Sequence, residues 1–123
     1  MWYYIKNSCF VDHPIYSEIL HDYDEKGETT RLNDFKIRER HISLQHKINK
    51  KRYLISIVEI NNCDVLVKCK RDKDYNLFNK IENHYLKDIK KVSEIDDNLE
   101  AWKVSQDLCK YKYLLNEKYD FKE

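Results

Sequence analysis

The sequence predicts an α+β fold: an antiparallel meander sheet of five to six strands, followed by two C-terminal helices packed on one face. Two observations carry this. Period-two patterns run to Lys70 and give way to helical spacing from about Asp74. Strands grouped ahead of helices also argue against a parallel α/β sheet, whose elements alternate. At 123 residues, 41% of them hydrophobic, the chain fits one domain over 1–123, mainly β in 1–70 and mainly helical in 74–116. Ten Tyr, four Phe and two Trp give that domain a core and argue against disorder.

The elements follow in order. Met1 to Lys6 begins directly in strand-like sequence, without the basic start and apolar stretch of a signal peptide. Tyr16 to Asp24 and Glu28 to Ile37 read as a hairpin, with Gly27 at the left-handed position of a three-residue loop, Glu25-Lys26-Gly27. Ile42, Leu44, His46 and Ile48 alternate with polar residues as a half-buried strand should. A polar turn, Asn49-Lys50-Lys51, leads into the most apolar strand, Arg52 to Ile60. Asn61-Asn62 then suits a two-residue turn, because Asn tolerates positive φ. That turn sets Val58 opposite Val65 and Ser56 opposite Val67, and it sets Glu59 against Asp64, a like-charge pair that costs stability.

Asp74 to Lys91 reads as a helix, with Phe78, Ile81, Tyr85 and Ile89 on one stripe. Asp97-Asn98-Leu99-Glu100 resembles a capping box. It opens a helix to about Asn116 with Ala101, Val104, Ser105, Leu108, Tyr111 and Leu115 on one side. The tail, Glu117 to Glu123, mixes Tyr119 and Phe121 with charges.

Composition excludes several classes of function. Gly27 and Pro14 are the only glycine and proline. A phosphate-binding P-loop, a dinucleotide fingerprint and a nucleophile elbow each need at least two glycines close together. Lys plus Arg number 23 against 22 Asp plus Glu, so no global field draws the chain to nucleic acid or membrane. No apolar run approaches the roughly 18 residues of a membrane span, and the expected location is the cytoplasm, or a host cytoplasm for a viral protein.

Candidate chemistry is sparse. Cys9, Cys63, Cys69 and Cys109 read as reduced, partly buried thiols, with a Cys9 to Cys109 bridge left open. The five His residues show no zinc-ligand spacing. His21-Asp22-Tyr23-Asp24-Glu25 would place Asp22 and Asp24 one pleat apart on a strand, able to hold a hard cation, though a polar hairpin tip reads the same way. Lys47, Lys68 and Lys70 with Tyr53 could form a basic, aromatic patch on the sheet. Tyr3, Tyr16, Tyr23, Tyr75, Tyr113 and Tyr119 lie in mixed polar segments and suggest exposed contact area.

The expectation is therefore a small non-enzymatic binding protein of the inhibitor, immunity or anti-defence type. It would sequester a partner protein through a sheet face or edge, without metal or cofactor. The residues expected to bind are Tyr53, Lys68, Lys70, Glu59 and Asp64, on the outer face of the hairpin. A nucleotide or nucleic-acid binder using the basic strands is the alternative, and a homodimer is a further partner class.

Overall fold

Strand β1, Trp2–Ile5, opens the chain, and helix α1, Pro14–Asp22, follows it. The computed structural model describes residues 1–6, 14–32, 37–60, 64–70, 76–108, 110, 111 and 115. Pro14 sits in the first turn of α1, where its fixed φ suits a helix and its missing N–H costs no hydrogen bond. Four strands come next: β2, Tyr23–Leu32; β3, Arg38–His46; β4, Arg52–Ile60; and β5, Asp64–Lys70. Helix α2, Asn76–Tyr85, leads through a 3₁₀ turn, Leu86–Asp88, into β6, Ile89–Val92, and then α3, Ala101–Gln106. Helical residues continue past α3 at Leu108, Lys110, Tyr111 and Leu115.

Among the described residues, the six strands form one antiparallel sheet in the order β2-β3-β4-β5-β1-β6. The α+β class and the antiparallel sheet are as the sequence implies. Strands β2 to β5 form the meander, but β1 inserts between β5 and β6.

Each sheet face carries its own core. On the front face, α1 contributes Ile15, Tyr16 and Ile19, and α2 contributes Leu77, Phe78, Ile81 and Tyr85. They cover Ile42, Leu44, Tyr53, Ile55, Ile57, Val65 and Val67. Burying each Ile or Leu there stabilises the fold by roughly 1.5–3 kcal/mol. On the back face, Ala101, Val104, Leu108, Tyr111 and Leu115 pack on Trp2, Tyr4, Val58, Leu66 and Val92. All six residues of the expected C-terminal stripe, Ser105 included, are buried.

Several expectations need correction. The two C-terminal helices do not share a face: α2 lies on the front and α3 on the back, with β6 between them in sequence. The helix expected to reach Lys91 stops at Tyr85, because Leu86 turns to a positive φ of 44° and the chain then pairs as β6 with β1. Ile89, assigned to a helical stripe, is a strand residue in the front core. The segment from Tyr16 to Asp24 is mostly helix α1: Ile15, Tyr16 and Ile19 recur at helical spacing. Gly27 is not a hairpin loop but follows a bulge within β2, where the register shifts between Glu25 and Gly27. Asp97 caps no helix. Asp96 instead holds a turn, accepting from the Asn98 N–H at 2.8 Å, and α3 starts after Glu100.

The β4–β5 register also differs by one residue. Glu59 lies opposite Val65 and Ser56 opposite Lys68, which removes the Glu59–Asp64 clash. The connection, with Cys63, falls outside the described residues, as do Cys9, Cys109, Tyr75, Tyr113 and the tail. Tyr16 and Tyr23 are buried in the front core, and Tyr3 packs on Phe78 with ring centroids 3.9 Å apart. Those tyrosines fill the interior rather than offering contact area.

Candidate functional site

The five expected binding residues do not share a face. Tyr53 is 4% exposed in the front core, edge-on to Tyr23 at 5.5 Å. Glu59 also points to the front, while Asp64, Lys68 and Lys70 alternate onto the back. The basic patch with Tyr53 therefore does not form, and Lys47 lies in the exposed β3–β4 turn. Asp22 and Asp24 separate as well. Asp22 ends α1 and pairs with Lys80 of α2 at 2.6 Å, while Asp24 belongs to β2. The Lys80 ammonium holds the Asp22 carboxyl below its usual range.

The front face carries an ion-pair network beside the helices. Glu59, 7% exposed, accepts from Arg38 Nη2 at 2.7 Å and from Arg40 Nη1 at 3.1 Å. Arg40 Nε also donates to Glu28 on β2. The network joins β2, β3 and β4, and its carboxylates neutralise both guanidiniums. This is a fastening between strands.

The back face holds a second polar cluster. Glu39 and His41 are two residues apart on β3, so alternation puts both on this face, and Ser56 pairs directly opposite His41. Glu39 accepts from His41 Nε2 at 2.8 Å; in a neutral imidazole that leaves Nδ1 to accept from the Ser56 hydroxyl at 3.1 Å. Ser105 of α3 donates to the Trp102 carbonyl at 2.9 Å and stands 3.5 Å from the second Glu39 oxygen. Hydroxyl, imidazole and carboxylate thus line up as in a hydrolase relay. Ser56, however, is 1% exposed in mid-strand beneath α3, and so presents no nucleophile to solvent. The cluster binds the helix to the sheet.

Lys68 and Lys70 border the same cluster. Lys68 is 7% exposed, with its ammonium 5.7 Å from the Trp2 ring centroid. Burial, and then the neighbouring Lys70 charge, hold its pKa below the usual value. Lys70 pairs with Glu100 at 2.7 Å, and that hydrogen bond holds the Glu100 carboxyl below its usual range.

Coverage of the back face is uneven. Helix α3 roofs β4, β5, β1 and β6, whereas His41, Ser43, Gln45 and Leu54 on β3 and β4 are only half-buried, and Arg31 and Arg52 are exposed. Trp102 is 44% exposed. It lies three residues before Ser105 and on the same flank of α3, the flank that reaches Glu39 on β3, so it borders this strip. Among the described residues, the strip combines guanidiniums, amide, hydroxyls and one large aromatic on a hydrogen-bonded sheet. Its residues are not among those singled out by sequence, although Trp102 beside a six-residue apolar stripe is a usable signal.

Among the described residues no group of His, Cys, Asp or Glu is arranged to hold a metal, and no helix is long and apolar enough to cross a membrane. Comparison with known proteins finds no matching family model, curated protein or solved structure.

Proposed function

We propose that this chain is a non-enzymatic binding protein that sequesters a partner protein, in the manner of an inhibitor, immunity or anti-defence factor. The working surface is the strip of the back face that α3 leaves uncovered. One observation supports this above the others: a half-exposed sheet surface lies beside an exposed Trp102, with Arg31 and Arg52 at its margins. Tryptophan and arginine are the side chains that most often carry interface energy. Of the residues expected from sequence, Lys70 stays at the border of this surface, and Asp64 lies farther along the same face. Tyr53 and Glu59 support it from the other side of the sheet.

The test uses the folded protein as bait in lysate of its source cell, followed by native mass spectrometry. A partner held by the unmodified chain should be lost with Trp102→Ala and with Arg52→Glu, while both variants keep the parent melting temperature. Trp102→Ala should weaken the purified complex about thirtyfold, the effect of losing an interface anchor worth roughly 2 kcal/mol. Recovery of the same partner by both variants would overturn the assignment of the surface. Capture of oligonucleotide instead, with affinity falling steeply as salt rises, would replace the protein partner with a phosphate backbone.

A further inference from the structure

The strip on the back face ends at β2, and β2 poses a separate problem. Among the described residues it is an edge strand paired only with β3, ten residues long, and every residue from Glu25 to Leu32 is exposed. The opposite edge, β6, has four residues. A long exposed edge presents a row of unpaired backbone N–H and C=O groups, which proteins cover or guard. Here the guards are uneven. The bulge at Lys26 interrupts the N-terminal half, whereas Glu28 to Leu32 pair regularly with β3 and end on Leu32, 66% exposed.

We propose that Glu28–Leu32 pairs with the same segment of a second copy, joining two sheets across a two-fold axis. Charge selects this occupant and its register. In an antiparallel pair of identical strands, a two-fold axis normal to the sheet places one residue against itself, with its neighbours paired symmetrically around it. Centred on Glu28 or on Arg31, the pairing sets like charge against like charge, which is destabilising. Centred farther towards the N-terminus, it runs into the bulge. Centred on Thr29, it pairs Thr29 with Thr29 and Glu28 with Thr30, a shorter match that stops where Arg31 meets Gly27 beside the bulge. Centred on Thr30, it pairs Thr29 with Arg31 and Glu28 with Leu32. Neither of these opposes like charges, and both use cross-strand threonine contacts that favour pairing. Glu28 reaches the interface already neutralised by Arg40.

The dimer closes on itself, because among the described residues each copy has one such segment and the other edge is short and different in sequence; no filament follows. At most five residues per strand bury less than the roughly 1,200 Å² of a standard interface, so association is weak and concentration-dependent. The two back-face strips then lie side by side on one continuous surface.

Sedimentation velocity of the isolated protein, with no partner present, tests this. The unmodified chain should shift from monomer to dimer as concentration rises towards ~1 mM, the weak end of specific association. In one register Thr29→Lys brings the two introduced ammonium groups face to face, and in the other it sets each against Arg31. It should therefore weaken the dimer about tenfold in either. Thr29→Glu distinguishes them: it weakens a Thr29-centred dimer and tightens a Thr30-centred one, where it meets Arg31. Thr29 is exposed, and unchanged melting temperatures should show that both variants fold. A chain that stays monomeric throughout, or a dimer indifferent to Thr29→Lys, overturns the proposal. Because no partner is added, either result leaves the back-face reading standing.

Discussion

Glu59 is the residue on which the front-face network depends. Its carboxylate is nearly buried and serves two guanidiniums, one of them on Arg40, which is 12% exposed. Removing one member of a buried pair leaves an uncompensated charge and costs on the order of 3 kcal/mol. Glu59→Gln should therefore lower the urea midpoint clearly. Glu28→Gln removes the outer, more solvated partner and should cost less than about 1 kcal/mol. Lys68 sends a different signal, through pH. Its ammonium is held below the usual 10.5, mainly by burial, so in that interval the unfolded chain binds a proton that the folded chain has released. Stability should rise with pH there. Above about 10 the sign reverses: burial raises Tyr4 and Tyr16, so the unfolded chain ionises first and stability falls. Lys68→Met should abolish the rise and keep the fall, as read from urea midpoints between about pH 8 and pH 11.

At the scale of elements, local backbone conformation decides where periodicity misleads. Leu86 adopts a φ of 44° and Lys50 one of 62°, both in the left-handed region that costs a side chain about 1 kcal/mol. Leu86 is 70% exposed, so little packing is lost on truncation. Leu86→Gly should raise stability by up to about 0.5 kcal/mol in thermal or urea unfolding, the relief of that conformation less the extra freedom glycine gives the unfolded chain. The same residue explains why helix α2 cannot be bounded from sequence. The apolar spacing continues through Ile89, and only the turn that starts at Leu86 converts Ile89–Val92 into β6. By contrast, β4 is legible to the residue, because Arg52 to Ile60 is apolar, β-branched and flanked by turn residues. The α3 stripe is equally legible, since six buried residues at helical spacing admit one face. Helix α1 is misread as strand because Tyr16 to Asp24 mixes polar and apolar residues without strict alternation, and Pro14 at its head is the clue. The candidate strip is hidden for another reason. Which half of a sheet face stays bare depends on where a distant helix lands, and no local pattern encodes that.

Taken whole, the described residues form a single sheet largely sheltered on the front and partly on the back, and its unshielded part lies toward β2. An aromatic-led protein interface on that part should respond weakly to salt. A complex held by phosphate contacts would lose affinity by orders of magnitude between ~50 mM and ~200 mM salt. Isothermal titration at those two concentrations, with the partner recovered by pull-down, should show a change of less than about tenfold.

The position of β1 carries a consequence for how the chain assembles. Its four residues precede both of their neighbours in the chain, yet they end flanked by Val65–Val67 on one side and Ile89–Val92 on the other. Neither neighbour is close in sequence, yet Trp2 ends completely enclosed among them. Closing such long loops is entropically slow. This topology predicts that the strand is set in place late in folding. A bulky tag fused ahead of Met1 should slow refolding far more than one placed after Glu123, and stopped-flow Trp fluorescence would register the difference.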